Sequence, residues 1–490
     1  MNNTPDKNNT STPSRNRLPR PGRLVAEQAF SRAAGAPLIA GNSLRLLRDA
    51  AGNYPAWLMA IRRAEHCIHF ENYIIQDDVI GREFVAALAE RARAGVTVRL
   101  LYDWMGCYFS NSRRLFRPLI EAGGEVRVFN PARLDSPFGW LTRDHRKSLT
   151  VDGRIGYVTG LCVSQRWTGN AARDIAPWRD TGIEVQGPAV ADIVAAFSQT
   201  WAQCGPPLPV TEIPAPTELE GAGNTTLRVI ASSPYTSGLY RLDQMIAAVA
   251  QETLWLTDAY FVGTPAYSQA LCAASLDGVD VRLLVPSSSD IPLVSPFSRA
   301  GYRPLLEAGV RVFEWNGPMI HAKTAVADGR WARVGSSNLN LASWISNYEL
   351  DIAIEDEAFA DEMEAMYLED LEQSTEIVLG ERRKVRPREP RRRRRTPARF
   401  RGGSSRVATA MRLGNTVAAA MQQRELGPVE AAITLIFGAV LMALAVLGLY
   451  WPRLLAAPIA AVSLWMAICL LMRAWRLRRR SKSFPDPHKE

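Results

Sequence analysis

The 490-residue sequence predicts a duplicated α/β sandwich, two halves related by a pseudo-two-fold axis, followed by a C-terminal transmembrane helical hairpin. Three observations predict it. Blocks of sequence recur in the same order in two successive parts of the chain, which is the mark of an internal duplication. In each copy an amphipathic helical stretch (Phe84 to Ala94; Tyr267 to Leu276) leads through a glycine into an apolar strand-like run, the alternation of an α/β unit. Near the C-terminus, Ala431–Trp451 and Leu454–Met472 are uncharged runs of 21 and 19 residues, each long enough to cross a hydrocarbon core of about 30 Å as a helix. A composition of 47% hydrophobic and 22% charged residues is that of a globular protein and excludes a disordered chain, a collagen-like repeat or a many-span transporter.

Residues 1–24, rich in Asn, Thr, Ser, Pro and Arg without an apolar core, read as a disordered arm and not as a signal peptide. The first half follows over 25–204, and 205–224, with Pro206, Pro207, Pro209, Pro214 and Pro216, has the composition of a linker. In the second half, 225–381, Gly278-Val-Asp-Val-Arg-Leu-Leu284 repeats Gly95-Val-Thr-Val-Arg-Leu-Leu101, and Leu305-Leu-Glu-Ala-Gly repeats Leu119-Ile-Glu-Ala-Gly. Its end, Asp351 to Glu381, holds twelve acidic residues and no Lys or Arg, with Phe359, Met363, Met366 and Leu371 at helical spacing. That pattern predicts a helix with one buried stripe and a solvated acidic face. A basic linker (382–405), an interfacial helix or plain linker (406–427), the hairpin (428–473) and a basic tail (474–490) complete the chain.

The net charge of +9 is an average over unlike parts, since residues 26–381 carry 30 basic and 43 acidic residues. The positive excess lies outside this acidic body, above all in 382–401 and after Met472. Basic residues on both flanks of the hairpin place them on the cytoplasmic side. The body is then expected on the cytoplasmic face of a membrane, tethered at its C-terminal side. The six cysteines show no CxxC pair and no zinc-ligand spacing, so neither a disulfide framework nor a cysteine metal site is expected.

Of five histidines, two stand in the same setting at equivalent points of the repeat, His145-x-Lys147-x4-Asp152-Gly and His321-x-Lys323-x4-Asp328-Gly. In a strand the His and Lys of each pair share one face. A fixed ammonium there disfavours a metal and suits an anion. A histidine titrating near neutrality serves as nucleophile or general acid–base, and the lysine stabilises charge on phosphate oxygens in the transition state. Two such units facing one phosphodiester supply an attacking imidazole and a protonated one, without a metal.

The doubled HxKxxxxD motif, followed by Gly335-Ser-Ser-Asn338 and Asn347-Tyr-Glu349 in the second copy and by Thr159-Gly-Leu-Cys162 and Trp178-Arg-Asp180 in the first, resembles the phospholipase D superfamily. With Glu71-Asn-Tyr73 upstream, the pattern is similar to its bacterial cardiolipin synthase branch over roughly residues 35–380. The resemblance implies a phosphohistidine on His145, with His321 protonating the leaving group and later activating an acceptor hydroxyl. Lys147, Lys323, Asn338 and Ser336 would hold phosphate oxygens, and Glu349 and Asp180 would orient the imidazoles. Asp152 and Asp328 complete the catalytic motif, supporting the local loop. The chain departs from the pattern at Thr159 and Cys162, where Gly and Asn are expected, and at Asn340 and Ala342.

Three functions fit: a membrane-tethered phosphatidyltransferase making cardiolipin from phosphatidylglycerol, a phosphodiesterase or nuclease of the same fold, and a non-catalytic lipid-binding scaffold. A nucleic-acid groove needs clustered basic residues, which the acidic body disfavours. Intact HxK pairs disfavour the scaffold. The partners expected are therefore anionic phospholipids and the bilayer, with no cofactor and no metal.

Overall fold

The computed structural model describes residues 21–131, 142–291, 294–379 and 385–387, with helical residues scattered between 439 and 472. The first set of elements is α1 (Pro21–Ala34), β1 (Ile39–Arg48), α2 (Asp49–Arg63), β2 (Cys67–Asn72), α3 (Val79–Arg93), β3 (Thr97–Asp103), α4 (Ser112–Glu121), β4 (Glu125–Phe129), β5 (Ser148–Val151), β6 (Ile155–Thr159), α5 (Gln165–Thr168), β7 (Thr181–Gln186) and α6 (Val190–Gln203). The second is β8 (Thr225–Ser232), α7 (Gly238–Val249), β9 (Thr253–Thr257), α8 (Pro265–Leu276), β10 (Asp280–Pro286), α9 (Val294–Glu307), β11 (Arg311–Trp315), β12 (Thr324–Ala327), β13 (Trp331–Gly335), α10 (Leu341–Ile345), β14 (Glu349–Glu355), α11 (Glu357–Glu372), β15 (Ser374–Leu379) and β16 (Val385–Pro387).

One continuous sheet holds all sixteen strands found among the described residues. From one edge the first set runs β4-β3-β2-β5-β6-β7-β1. Beyond the β1–β8 junction the second set runs β8-β14-β13-β12-β9-β10-β11, the same order reversed, with β15 and β16 added outside β11. In each set three strands are parallel (β2, β3, β4; β9, β10, β11). Parallel strands need crossover helices. These are α3 and α4 in one set, α8 and α9 in the other. Gly95 (φ +92°) and Gly278 (φ +99°) end α3 and α8 in the left-handed conformation that lets the chain turn into the next strand.

Two cores fill the helix-covered faces, one around Trp57, Phe70, Phe84 and Leu100, the other around Leu242, Leu271, Leu283 and Tyr302. A third core is common to both sets. Val158, Ile183, Val185 and Ile193 from the first pack with Val334, Ile352, Ile354 and Met363 from the second. This shared apolar layer fixes one set of elements against the other.

Several sequence expectations change. Residues 21–24, assigned to the disordered arm, open α1. The linker 205–224 is docked, since Glu212 accepts hydrogen bonds from Arg99 Nε (2.6 Å) and Nη2 (2.6 Å). Within the basic linker 382–405, residues 385–387 form β16 on β15. The helix expected within 351–381 is α11, with Phe359, Met363 and Met366 buried, but it is shorter than the acidic stretch. Residues 351–355 belong to the largely buried strand β14, and 374–379 form β15. Acidic residues mislead there because several are buried and paired: Asp351 with Arg333 (3.2 Å) and Asp370 with Arg179 (2.9 Å). Among the described residues no helix is long and apolar enough to cross a membrane. Most of the expected hairpin, and all of 406–427, lie outside the described residues.

Candidate active site

The site forms where the C-terminal ends of the parallel strands of both sets meet. His145-Arg-Lys147 and His321-Ala-Lys323 lie in extended segments just before β5 and β12, and not inside those strands. Both segments are pinned to the opposite set by parallel bridges, Asp144 to Tyr348 and Arg179 to Ile320. His145 N–H donates to the Tyr348 carbonyl (2.9 Å) and His321 N–H to the Arg179 carbonyl (2.7 Å). The carboxylates follow the same crossing. His145 Nδ1 lies 2.9 Å from Glu349 of the second set, and His321 Nδ1 lies 2.8 Å from Asp180 of the first. Each imidazole therefore takes its orienting acid from the other half.

All four reactive side chains are buried: His145 is 9% exposed, His321 5%, Lys323 1% and Lys147 0%. Burial, assisted by the Lys323 ammonium, pushes His321 down to about 3, against the opposing pull of Asp180. Burial also lowers His145, opposed by Glu349. Lys323 falls to about 8 for the same reason, with Lys147 adding repulsion. Burial alone would raise Asp180 and Glu349, but His321 and His145 respectively hold both carboxyls below the usual range. Two ammonium groups, Lys147 and Lys323, thus face each other across a site whose carboxylates are committed to the imidazoles. Among the described residues neither ammonium is ion-paired with a carboxylate, and each donates instead to a backbone carbonyl, an arrangement that suits the non-bridging oxygens of a phosphodiester.

Each ammonium donates to the carbonyl of its own histidine. Lys323 Nζ also lies 2.9 and 3.1 Å from the two ring nitrogens of His321. Ser336 Oγ donates to Glu349 (2.6 Å), so it positions that carboxylate instead of standing open to substrate. Asn338, at the end of the Gly335-Ser-Ser turn, is buried with its Oδ1 unpartnered among the described residues.

The two copies differ at the place of Ser336 for a steric reason. Gly160 occupies the place of Ser336, and a Cβ there would stand 2.2 Å from Asp180 Oδ1. The bond that Ser336 gives Glu349 is given to Asp180 by the Trp167 indole instead, Nε1 to Oδ2 at 2.8 Å. Cys162, in the place of Asn338, is buried, which raises its thiol while Lys147 partly offsets the effect. Sequence reading missed Trp167, and also Tyr260. Tyr73 meets His145 edge-on (centroids 4.9 Å) and Tyr260 meets His321 likewise (5.8 Å). By strand register Thr257-Asp258-Ala259 matches Glu71-Asn72-Tyr73, so Tyr260 stands one residue further along than Tyr73 and the repeat does not mark it.

Asp152 and Asp328 lie away from this cluster. Asp152 (φ +53°) and Gly153 (φ +61°) turn β5 into β6, as Asp328 (+51°) and Gly329 (+58°) turn β12 into β13, backbone that Asp and Gly tolerate. The Asp152 carboxylate accepts the N–H groups of Glu65 (2.9 Å), His66 (2.7 Å) and Cys67 (2.9 Å) at the start of β2. Asp328 does the same for Gln251, Glu252 and Thr253. Asp152→Ala is expected to cost about 1–3 kcal/mol of stability by orphaning these donors. Turnover per folded molecule should change little, as chemical denaturation and an active-site titration would measure.

A family model described as cardiolipin synthase, phospholipase D-like domain, matches residues 58–201 and 243–371. Cardiolipin synthase A of Pseudomonas aeruginosa is 35% identical over 364 residues, 73% of each chain. A cardiolipin synthase of Alkalihalophilus pseudofirmus is 33% identical over 347 residues, 70% of this chain and 68% of its own. Among solved structures, phosphatidylserine synthase of Haemophilus influenzae superposes with a TM-score of 0.57 at 13% identity, covering 72% of this chain and 92% of its own, which bears on the fold alone. The repeated motifs, the paired histidines and these matches agree: the chain belongs to the cardiolipin synthase family of phospholipase D-like enzymes.

Proposed function

We propose that the protein is a membrane-tethered phosphatidyltransferase that makes cardiolipin from two phosphatidylglycerol molecules, releasing glycerol. The observation that carries this reading is the convergence of two His–Lys pairs, each histidine held by a carboxylate, in one buried site. Burial lowers both imidazoles from their ordinary value, which favours the neutral ring that a nucleophile needs. His145, its Nδ1 proton held by Glu349, presents Nε2 to phosphorus and forms the P–N bond as the P–O bond to the glycerol headgroup breaks. The bound phosphate charge raises the His321 imidazole so that it carries the proton delivered to the leaving alkoxide. Neutral again, His321 takes the proton of the acceptor hydroxyl as that oxygen attacks phosphorus and frees His145. Lys147 and Lys323 hold the non-bridging oxygens throughout, and Asn338 completes the phosphate contacts.

The halves 25–204 and 225–381 are read as copies about a pseudo-two-fold axis passing between the histidines, which the mirrored strand order supports. The tether is the hairpin 428–473, with the body on the cytoplasmic side. Exposed Met442, Leu449, Leu464 and Leu471 at helical positions support that reading.

Purified full-length protein in phosphatidylglycerol liposomes, analysed by mass spectrometry, tests the function. Cardiolipin and glycerol in equal amounts are expected. Phosphatidic acid as the sole product would make water the acceptor and overturn the transferase reading. The pH profile is a second check. With Lys323 at about 8, kcat/KM should fall as pH rises through about 8, because loss of its proton removes charge that holds phosphate. Lys323→Arg should move that limb above pH 9 in whatever activity remains.

A further inference from the structure

The loop after β3 carries two aromatic side chains into solvent beside the site. Asp103, buried at the end of β3, accepts the N–H groups of Met105 (2.8 Å) and Gly106 (3.0 Å), which turns the chain outward. Gly106 lies so close to Tyr73 that a Cβ would stand 1.9 Å from the Tyr73 carbonyl oxygen. Cys107 is buried, its Sγ accepting the Ile75 N–H (3.3 Å). The root of the loop is therefore fixed on the same Tyr73 whose ring meets His145. Its tip is open: Tyr108 is 57% exposed and Phe109 81%, in a ladder of edge contacts with Trp104.

Helix α4 follows at once. Leu115, Phe116 and Leu119 face the core, while Arg113, Arg114 and Arg117 face solvent. Arg117 pairs with Glu121 (2.6 Å), and neither Arg113 nor Arg114 makes an ion pair among the described residues. On a body with 43 acidic and 30 basic residues, this cationic helix face next to an exposed aromatic tip stands apart.

We propose that loop 104–111 and the outward face of α4 dock the catalytic body onto an anionic phospholipid bilayer. Tyr108 and Phe109 enter the headgroup region, and Arg113 and Arg114 meet lipid phosphates. Aromatic side chains flanked by arginines match the chemistry of that region, apolar just below the surface and anionic at it. The docked loop is rooted beside His145, so it sets the mouth of the site against the membrane, and a lipid headgroup reaches the histidines without its chains crossing water. The proposal rests on the phosphatidyltransferase reading for its purpose, while docking itself is measured separately.

The test uses the full chain in liposomes of phosphatidylglycerol and phosphatidylcholine, with an environment-sensitive fluorescent amino acid at position 109 or, as control, at 276. Leu276 is 73% exposed at the far end of the strands. Acyl-chain-brominated lipids should quench the probe at 109 several-fold more than at 276. Equal quenching overturns the proposal. So does a probe at 109 that is shielded from an aqueous quencher yet untouched by brominated lipid, which would mark a protein partner. The double variant Tyr108→Asp, Phe109→Asp should lower transfer on bilayer substrate by roughly tenfold and leave turnover of dispersed short-chain phosphatidylglycerol within about twofold. Loss on both substrates would show that the loop shapes the site instead, and overturn docking. Wild-type protein that is quenched at 109 yet forms no transfer product would sink the transferase reading and leave docking standing.

Discussion

Replacing His145 by alanine is expected to lower cardiolipin formation by on the order of 10⁴-fold or more, and His321→Ala by a comparable factor. The magnitude follows from what each imidazole does. An alkoxide is a poor leaving group, so the first step needs both an attacking nitrogen and a proton donor, and neither lysine replaces either. The two variants should differ in what accumulates. In His145→Ala no phosphatidyl group becomes attached to the protein. In His321→Ala any slow attack by His145 leaves an adduct whose resolution also lacks its base, so rapid quenching and intact-protein mass spectrometry should find a phosphatidyl mass on His145. Wild-type rates in either variant would overturn the two-histidine mechanism.

Glu349→Gln and Asp180→Asn are expected to cost on the order of 10²–10⁴-fold in kcat with little change in KM, as loss of the carboxylate behind an imidazole does. A neutral amide can present its NH₂ to Nδ1, which moves the ring proton to Nε2 and removes the lone pair that faces phosphorus. Burial sharpens the loss, because both carboxylates are held ionised by the histidines they serve. The crossing gives these variants a distinctive signature. Glu349→Gln, though in the second half, should behave as a lesion of His145 and fail to accumulate the adduct. Asp180→Asn, in the first half, should behave as a lesion of His321. The reverse pattern would refute the pairing at 2.9 and 2.8 Å.

The His–Lys pairs were legible because a duplication prints them twice, and two copies of a rare residue in one setting speak for themselves. The crossing was not legible. It depends on the extended segments bridging Asp144 to Tyr348 and Arg179 to Ile320, contacts set by the face-to-face packing of β6 and β7 on β13 and β14. Nor does spacing reveal that Ser336 serves Glu349, or that Trp167 substitutes for it at Asp180, since the two solutions use different residue types. In 351–381 the helix and its buried stripe were legible, but two of the acidic residues were not. Charge was taken to mean solvent, yet Asp351 and Asp370 are buried against arginines, and Asp370 holds Arg179, whose carbonyl in turn holds His321.

The exchange of carboxylates between halves also bears on the order in which the protein acquires reactivity during synthesis. A nascent chain that has emerged only as far as β7 contains His145 and Lys147 but lacks Glu349, the Tyr348 carbonyl that pins the segment, and the whole second His–Lys pair. It holds no oriented nucleophile and no proton donor. Competence arrives only when β14 takes its place, so an unfinished chain cannot attack a phosphodiester before the second half is in position.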